Sequence, residues 1–289
     1  MKTLNVIGCG QVGKTLSRLW GQRGVFQIGA VLNRSLESGL RAVDFVGAGR
    51  AVVDYAELAG ADVVMIATSD ESIETCCREL SRSGALQEGA VLFHCSGCLP
   101  SGVLAAARDQ GALIASAHPV KSFANPTSAV ETFEGTFCAV EGDPLACELL
   151  QDALQRCGAK TFRVRPEFKT VYHTGTVFVC NYLTALLEVG LRCFQQAGVS
   201  RATAMEVIEP IVTETAANVF RFGPAGALTG PIARGETSIV QRHWEALGQW
   251  NEAIQQLYGN LGLVVSELSA AQGNAEPDAL AAIEATLRG

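Results

Sequence analysis

A glycine-rich turn near the start of the chain constrains the fold more than any other feature. A short apolar run over residues 3–8 leads into the pattern G-x-G-x-x-G, formed by Gly8, Cys9, Gly10, Gln11, Val12 and Gly13. Residues 14–20 then have helical spacing. At a strand-to-helix junction this pattern predicts dinucleotide binding, because the glycines permit a tight turn, a close pyrophosphate and close helix packing. A tight turn without a ligand is the alternative interpretation.

The end of the second predicted strand distinguishes between dinucleotides. This strand covers residues 28–32 and is followed by Asn33, Arg34 and Ser35. Chains that bind NAD usually place a carboxylate here, which accepts a hydrogen bond from the ribose 2′-OH. No carboxylate is present, and Arg34 and Ser35 can donate to a 2′-phosphate. The sequence therefore predicts NADP as the cofactor, with Arg34 as a solvated loop residue the alternative.

Composition argues against several classes of protein. The 289 residues are 48% hydrophobic and carry a formal net charge of −7, so a large core can form, while nucleic acid and anionic membranes would repel the chain. The start of the chain has no signal-peptide pattern, and several of the ten cysteines replace small apolar residues. We expect reduced thiols, a cytoplasmic location and no metal site. Redox or zinc use of Cys95 and Cys98, spaced C-x-x-C, is the less favoured alternative.

Strand and helix patterns alternate through the first half of the chain. Further strands are predicted at 50–53, 61–68, 91–95, 113–116, 135–141 and 160–164. This alternation predicts an α/β fold with a doubly wound parallel sheet in a first domain, 1–165. Helices dominate a second domain, 166–289. Its uncharged stretch of 14 residues between His173 and Glu188 is too short for a membrane span, so we expect a buried core helix.

The long helix predicted over about 167–197 carries several polar residues. At about 100° per residue they fall on one side of the helix, as Lys169, His173, Asn181, Thr184 and Glu188. Buried polar groups need partners. The stripe therefore indicates either hydrogen bonds between helices, with Lys169 in solvent, or the wall of an active site. Further on, Arg234 is either a clamp for a carboxylate or phosphate or the ion-pair partner of Glu236.

More polar residues follow the fourth, fifth and sixth predicted strands. Because ligands of a doubly wound sheet bind beyond the carboxyl ends of its strands, these residues are candidates for a site: Thr68, Ser69, Asp70, Ser96, Gly97, His118 and Lys121. Purely structural roles are the alternative, since Ser69 or Asp70 fits a helix N-cap. Equally, His118 fits a satisfied core histidine and Lys121 a surface charge.

Several longer stretches resemble one family. They are GCGQVG, VVMIATSDESI, LFHCSGCLPSGVL, ASAHPVKSFA, YHTGTVFVCNYLTALLEVG and LTGPIARGE. Together, across about residues 3–265, they resemble bacterial Rossmann-like proteins whose C-terminal helical domain has no known function and which are described as candidate NADP oxidoreductases. The layout is more distantly similar to ketopantoate reductase, pyrroline-5-carboxylate reductase and the β-hydroxyacid dehydrogenases.

This resemblance implies roles for individual residues. In the relatives the turn at Thr68 lies against the cofactor, the loop at Ser96 and Gly97 lies near the nicotinamide, and the segment at His118 contributes to the substrate pocket. The dehydrogenases carry a Lys and an Asn four residues apart, where this chain has Lys169 and His173. The resemblance also implies a helical domain that closes the site and forms a homodimer.

The resulting hypothesis is an NADPH-dependent reductase of a small, anionic carbonyl or imine compound. Lys169 or His173 donates the proton. The residues expected to bind the substrate are Ser96, His118, Lys121, Asn181 and Arg234. Two alternatives stay open: a non-catalytic NADP(H)-binding sensor or interaction module, and a deazaflavin-dependent NADP oxidoreductase.

Overall fold

The computed structural model describes residues 1–289. The chain divides into two compact units, Met1–Asn181 and Tyr182–Gly289. The first contains the sheet and the second is helical throughout. The predicted α/β class, with a Rossmann sheet followed by a helical region, is confirmed. The domain boundary at residue 165 stays a prediction, and the first compact unit continues beyond it.

Eight strands form one sheet, and each coincides with a predicted strand. They are β1 (Thr3–Ile7), β2 (Gln27–Leu32), β3 (Arg50–Val52), β4 (Val63–Ile66), β5 (Val91–His94), β6 (Leu113–Pro119), β7 (Phe137–Gly142) and β8 (Lys160–Arg163). Their order in the sheet is β3-β2-β1-β4-β5-β6-β7-β8. The strand order reverses between β1 and β4, and the crevice at such a switch point is where doubly wound sheets bind ligands.

One strand pair departs from the predicted parallel sheet. β6 and β7 are antiparallel, with Ser116 directly opposite Glu141, while the other neighbours are parallel. Between them lies only a six-residue helix, α5 (Pro126–Glu131), which packs against α1 (Gln11–Gln22). The connection from β6 to β7 therefore has no long crossover helix, and β7 runs back beside β6 in the opposite direction.

The remaining helices of the first unit cover the sheet. They are α2 (Leu36–Val46), α3 (Asp70–Arg82), α4 (Ala105–Arg108), α6 (Pro144–Gln155) and α7 (Lys169–Val177). Adjacent residues of β5 show that both faces are covered, since Phe93 belongs to one core cluster and Leu92 to another. Successive side chains of a strand point to opposite faces, so continuous apolar runs suit a sheet buried on both sides.

The long predicted helix is one helical segment, Pro166–Gln196, whose winding changes along its length. A 3₁₀ turn, Pro166–Phe168, precedes α7, and a π-helical segment, Phe178–Tyr182, separates α7 from α8 (Leu183–Gln196). A π-turn closes hydrogen bonds over five residues instead of four, so the angular spacing predicted from an ideal α-helix fails beyond α7. The polar stripe accordingly does not continue: Glu188 pairs at the surface with Arg192 and Arg201.

The second unit consists of α8 and four further helices. These are α9 (Arg201–Ala227), α10 (Thr237–Trp250), α11 (Glu252–Gln272) and α12 (Pro277–Arg288). Its core is small and is formed by Ile232, Val240, Leu280, Ile283 and Leu287. α9 is interrupted at Gly223, whose φ of +74° is not helical and which directly precedes Pro224.

The most apolar stretch of the segment Pro166–Gln196 is exposed, so the expectation of a buried core helix is wrong for the single chain. Its mean hydropathy reaches 1.5, and only 6% of its most apolar stretch is buried. By length and composition alone this helix could cross a membrane.

Candidate functional site

The glycine turn has the geometry that its sequence predicted. Gly8 has a φ of +78°, and a Cβ at this position would lie 2.3 Å from Cγ2 of Thr68. A Cβ on Gly13 would lie 3.1 Å from the carbonyl oxygen of Gly8, whereas a Cβ on Gly10 would meet nothing within 4 Å. Gly8 is therefore required by the fold itself, a Cβ on Gly13 would make its neighbours shift by a few tenths of an ångström, and Gly10 leaves open space that a phosphate can occupy.

The start of α1 offers free backbone donors beside this space. Gly10 is the N-cap, no side chain caps the helix, and the first N–H groups have no partner within it. The backbone N–H of Cys9 donates to Oδ1 of Asn33 at 2.7 Å. The side-chain amide of Gln11 donates from Nε2 to the backbone carbonyl of Ala124 at 3.3 Å. These bonds hold the turn in place, and the uncapped helix end can bind an anion.

The three residues predicted to select the cofactor have different roles in the structure. The Asn33 side chain is occupied by the glycine turn. Ser35 is the N-cap of α2 and accepts from the backbone N–H of Ser38 at 3.3 Å. Arg34 lies between them, exposed. Arg34 therefore has neither of the structural roles that Asn33 and Ser35 have.

A cavity of about 290 Å³ lies at the carboxyl ends of the central strands. Its lining contains eight predicted site residues, namely Val12, Thr68, Asp70, Ser96, Gly97, His118, Lys121 and His173. Four further lining residues are Ala67, Cys95, Pro119 and Phe123. All of these residues belong to the first compact unit, so one unit brings eight of the nineteen predicted site residues together around one cavity.

Ser96 and Asp70 form a hydrogen-bonded pair in this cavity. The Ser96 hydroxyl donates to Oδ2 of Asp70 at 2.7 Å and accepts from the backbone N–H groups of Cys98 and Leu99 at 3.1 and 2.9 Å. Ser69 is the N-cap of α3, although its side chain contacts the Ser72 hydroxyl and does not bond the helix backbone. The two interpretations of this turn, a helix N-cap and a site at the strand end, therefore both apply, the first to Ser69 and the second to Asp70.

Two histidines meet at Gly97. The rings of His118 and His173 are 5.8 Å apart between centroids, at 81°. A Cβ on Gly97 would lie 2.6 Å from Nδ1 of His173 and 2.8 Å from Nε2 of His118. Only glycine allows both rings to approach this closely. Both histidines are half-buried and line the cavity.

His118 is uncharged in the neutral pH range. Burial lowers its pKa to about 4, and the nearby positive charges of His173 and Lys169 act in the same direction, against the opposing effect of Asp70. Its Nδ1 lies 3.0 Å from the hydroxyl of Tyr172. Burial raises the pKa of Tyr172 to about 12, so this phenol keeps its proton.

Lys169 is buried, and the interpretation that placed it in solvent is wrong. Its side chain is 1% exposed, and its ammonium donates to Oε1 of Glu141 at 3.0 Å and to the hydroxyl of Ser116. Ser116 and Glu141 are directly opposite each other in the antiparallel β6–β7 pair, so both reach the same ammonium. Burial lowers the pKa of Lys169, and Glu141 opposes this shift. Lys169 is not among the residues that line the cavity.

Sequence reasoning missed Glu141. It is 2% exposed, and besides Lys169 it accepts from the backbone N–H of Ser101 at 2.8 Å and from the Ser101 hydroxyl at 2.7 Å. The signal was present, because a carboxylate stands inside the apolar strand FCAVEG. A buried carboxylate requires a cation or several donors.

His94 is a second missed residue, and it is a neutral structural histidine. It is fully buried, its Nδ1 accepts from the backbone N–H of Ser96 at 3.1 Å, and its Nε2 lies 3.3 Å from the carbonyl oxygen of Pro100. Burial lowers its pKa to about 3, and the charge of Lys169 adds to this shift. His94 therefore shapes the loop that presents Ser96 and Gly97.

Two predicted substrate residues lie outside the cavity. Asn181 is exposed in the π-helical segment. Arg234 belongs to the second unit and pairs with Glu236 through two hydrogen bonds, at 2.9 and 3.0 Å. The ion-pair alternative for Arg234 is thus the one observed. Lys121 does line the cavity, while its ammonium donates to the carbonyl of Thr132 at 3.0 Å.

The cysteines form no disulfide, and no group of three or more potential ligands could hold a metal ion. Cys95 lies in the cavity wall, where burial raises the pKa of its thiol to about 12. A thiol with such a pKa is a poor nucleophile and a poor metal ligand at neutral pH. The Cys98 thiol contacts the hydroxyl of Thr170.

Two family models match consecutive parts of the chain. The model of a Rossmann-like domain matches residues 2–119, and the model of a domain of unknown function, DUF2520, matches residues 136–264. The chain therefore resembles a Rossmann-like domain followed by a DUF2520 domain, and the two models together match most of it. No curated protein matches the chain.

Solved structures share the fold over almost the whole chain. Protein TM1727 from Thermotoga maritima is 24% identical with a TM-score of 0.74, covering 93% of this chain and 99% of its own. BF3122 from Bacteroides fragilis, named as a candidate NADP oxidoreductase, is 20% identical with a TM-score of 0.70, covering 92% and 98%. A pyrroline-5-carboxylate reductase from Coxiella burnetii is 18% identical with a TM-score of 0.57, covering 99% and 98%. The fold is therefore shared with proteins of these names.

Proposed function

We propose that the protein is an NADPH-dependent reductase of a small, anionic carbonyl or imine compound. The observation that carries this proposal is the cavity at the strand ends, where the glycine turn, the Asp70–Ser96 pair, the two histidines and Lys121 lie together. Two proteins with this fold are named as an NADP oxidoreductase candidate and as a pyrroline-5-carboxylate reductase. Both lines of argument support a dinucleotide-dependent oxidoreductase.

The cofactor assignment depends on the glycine turn and on Arg34. The open space at Gly10 and the uncapped start of α1 suit a pyrophosphate. The exposed guanidinium of Arg34 suits a 2′-phosphate, which favours NADP over NAD. When bound, the nicotinamide supplies the hydride.

His173 is the proton donor in this proposal. Reduction of a carbonyl or imine adds a hydride to carbon and a proton to oxygen or nitrogen. His173 lines the cavity, whereas Lys169 lies buried outside its lining. We therefore assign Lys169 to holding α7 against the sheet. Lys121 attracts the anionic part of the substrate.

Calorimetric titration with NADPH and NADH tests the cofactor. We expect NADPH to bind at least about tenfold more tightly, a difference of ~1.4 kcal/mol. Arg34→Ala should abolish this preference. Arg41→Ala is the matched control, because Arg41 is also an exposed arginine of this region but is already paired with Glu37. The assignment is refuted if neither dinucleotide produces a heat of binding, or if NADH binds more tightly than NADPH.

NADPH oxidation in the presence of 2-keto acids and cyclic imines tests the reaction. We expect His173→Asn to lower turnover by at least about 100-fold, the usual contribution of a general acid, without changing NADPH affinity. Tight NADPH binding without oxidation by any compound would favour a non-catalytic NADP(H)-binding sensor. Reduction of NADP by a reduced deazaflavin would favour the deazaflavin-dependent oxidoreductase.

The second unit supports a homodimer as part of the same proposal. Apolar side chains of α8 and α9 are exposed, among them Leu183, Leu186 and Ile211. Met205 is exposed as well and lines a groove of about 430 Å³ formed by the same two helices. A cytoplasmic enzyme would cover this surface with a second copy. Sedimentation should show a dimer for the wild type and a monomer for Ile211→Glu. Val264→Glu, at a comparably exposed residue of α11, should stay dimeric. A wild-type monomer that partitions into lipid vesicles refutes the dimer.

A further inference from the structure

Tyr172 contacts a cavity histidine that the proton-donor assignment leaves without a role. Its hydroxyl lies 3.0 Å from Nδ1 of His118, and the two rings pack edge to face, 5.9 Å apart at 79°. Tyr172 comes from α7 and His118 from β6. The contact therefore joins the helix to the strand end that forms the cavity wall.

The hydrogen bond has a preferred direction. A phenol is the more acidic of the two groups, and an imidazole nitrogen that carries no hydrogen is a strong acceptor. The opposite direction would pair the weaker donor, an imidazole N–H, with the weaker acceptor, a phenol oxygen. Tyr172 therefore donates and Nδ1 of His118 accepts.

This direction determines which nitrogen of His118 carries the hydrogen. A neutral imidazole has one N–H, so an accepting Nδ1 places the hydrogen on Nε2. Nε2 lies against Gly97, 2.8 Å from the position a Cβ would take, and both residues line the cavity. An N–H donor is therefore held at the cavity wall.

The charged and titratable groups around His118 come from several elements. His173 and Lys169, both on α7, disfavour its protonation, Asp70 at the start of α3 favours it, and burial outweighs the effect of Asp70. The ring stays neutral well below pH 7. A neutral donor polarises a substrate carbonyl without giving up its proton, and its dipole is oriented before the reaction begins.

His173 is arranged differently. The Thr176 hydroxyl donates to the backbone carbonyl of His173 at 2.7 Å and lies 3.3 Å from its Nδ1. Because the single hydroxyl hydrogen is already used, Nδ1–H of His173 donates to Thr176, so the proton that an imidazolium at His173 would give up is the one on Nε2. The two histidines thus differ in tautomer.

We infer that Tyr172 is a positioning residue that fixes His118 as a neutral Nε2–H donor to the oxygen or nitrogen being reduced, while His173 supplies the proton. This inference rests on the proposed reductase function for the identity of the acceptor. The tautomer itself depends only on Tyr172 and His118, so it can be measured without cofactor or substrate.

Nitrogen-15 NMR of histidine-labelled protein tests the tautomer. The chain has four histidines, and His118→Gln identifies the signals of His118 by their loss. We expect the wild type at pH 7 to show Nδ1 of His118 without hydrogen and Nε2 with hydrogen, unchanged down to about pH 5. A hydrogen on Nδ1, or a charged ring at pH 7, overturns the inference.

Tyr172→Phe tests the positioning role. We expect the Nδ1 signal to shift and the tautomers to mix, while the phenyl ring keeps the packing against His118. The control is Tyr258→Phe, because Tyr258 makes the same contact, at 3.1 Å, with Nδ1 of His243; it should leave the His118 signals unchanged. Unchanged His118 signals in Tyr172→Phe overturn the role of Tyr172.

The two proposals fail in distinguishable ways. If Tyr172→Phe does not fold, the wild-type spectrum still decides the direction of the hydrogen bond. If NADPH does not bind while the tautomer is as expected, the reductase proposal fails and the positioning of His118 stands. If NADPH is oxidised but Nδ1 carries the hydrogen, only the inference about Tyr172 fails.

Discussion

Removal of the Lys169 charge gives the most direct test of how α7 is held against the sheet. Lys169→Met replaces the ammonium by a thioether of similar length. It leaves the Glu141 carboxylate 2% exposed, with only the two Ser101 donors to balance its charge. An uncompensated charge in this position lacks the water that would stabilise it in the unfolded chain.

The expected loss is large for a single substitution. Breaking a buried ion pair by removing one partner costs about 3–5 kcal/mol. This corresponds to a change of roughly two to three and a half powers of ten in the folding equilibrium constant. Glu141→Gln should cost a similar amount, because it leaves the ammonium buried. The double variant Lys169→Met/Glu141→Gln should cost clearly less than the sum of the two, since no charge remains buried.

Urea denaturation followed by tryptophan fluorescence measures this loss. Trp20 is completely buried in the first unit. In a background with Trp244→Phe and Trp250→Phe it is the single fluorophore, because the chain has three tryptophans. The signal then reports the unfolding of the unit that contains Lys169.

Arg78→Met is the matched control. Arg78 pairs with Glu74 on α3 in the same unit, but both side chains are exposed, by 45% and 63%. Exposed helical pairs contribute about 0.3–0.5 kcal/mol. The reasoning is refuted if Lys169→Met costs no more than Arg78→Met, or if the double variant loses the full sum.

Three further predictions follow from the site. Gly10→Ala should leave stability within about 0.5 kcal/mol, because a Cβ there meets nothing within 4 Å, yet calorimetry should show at least about tenfold weaker NADPH binding; unchanged affinity contradicts the assigned phosphate approach. Gly97→Ala should cost about 1–3 kcal/mol in urea unfolding, because its Cβ would lie 2.6 Å from Nδ1 of His173; an unshifted midpoint contradicts the observed packing. Burial lowers the pKa of His118 from 6.5 to about 4, so the unfolded chain binds the proton more tightly and the free energy of unfolding falls as the pH drops from 6.5 towards 4. For this group the fall is about 2 kcal/mol between pH 7 and 5. His118→Gln should remove this part of the pH dependence, and an identical pH slope in the variant excludes His118 as its source.

Sequence reasoning succeeded where one residue type is required by local backbone geometry. Gly8 needs a left-handed φ, and Gly13 lies against a carbonyl oxygen, so the turn could be recognised without any tertiary information. The positions of the central strands could be predicted from their apolar runs, because both faces of the sheet are covered. Six of the cavity residues, Thr68, Asp70, Ser96, Gly97, His118 and Lys121, followed from placing polar residues at strand ends.

The environment of Lys169 could not be predicted in this way. Its partners, Ser116 and Glu141, are opposite each other only because β6 and β7 are antiparallel. The alternation of strands and helices predicts parallel neighbours, which would place other residues opposite Ser116. The π-helical segment similarly depends on packing, because a change from four to five residues per hydrogen-bonded turn has no reliable sequence pattern.

The contacts between α7 and β6 show how two periodicities produce the site. Lys169, Tyr172 and His173 are spaced i, i+3 and i+4, so they share one face of α7, and Ser116 and His118 are two residues apart, so they share one face of β6. The contacts pair Lys169 with Ser116 and both aromatic residues of α7 with His118. A shift of α7 by one residue would separate all of these partners at once and leave the ammonium buried without its acceptors. The buried ion pair therefore sets the register at which the two histidines meet, and the loss of Lys169 should disturb the cavity even though its ammonium does not line it.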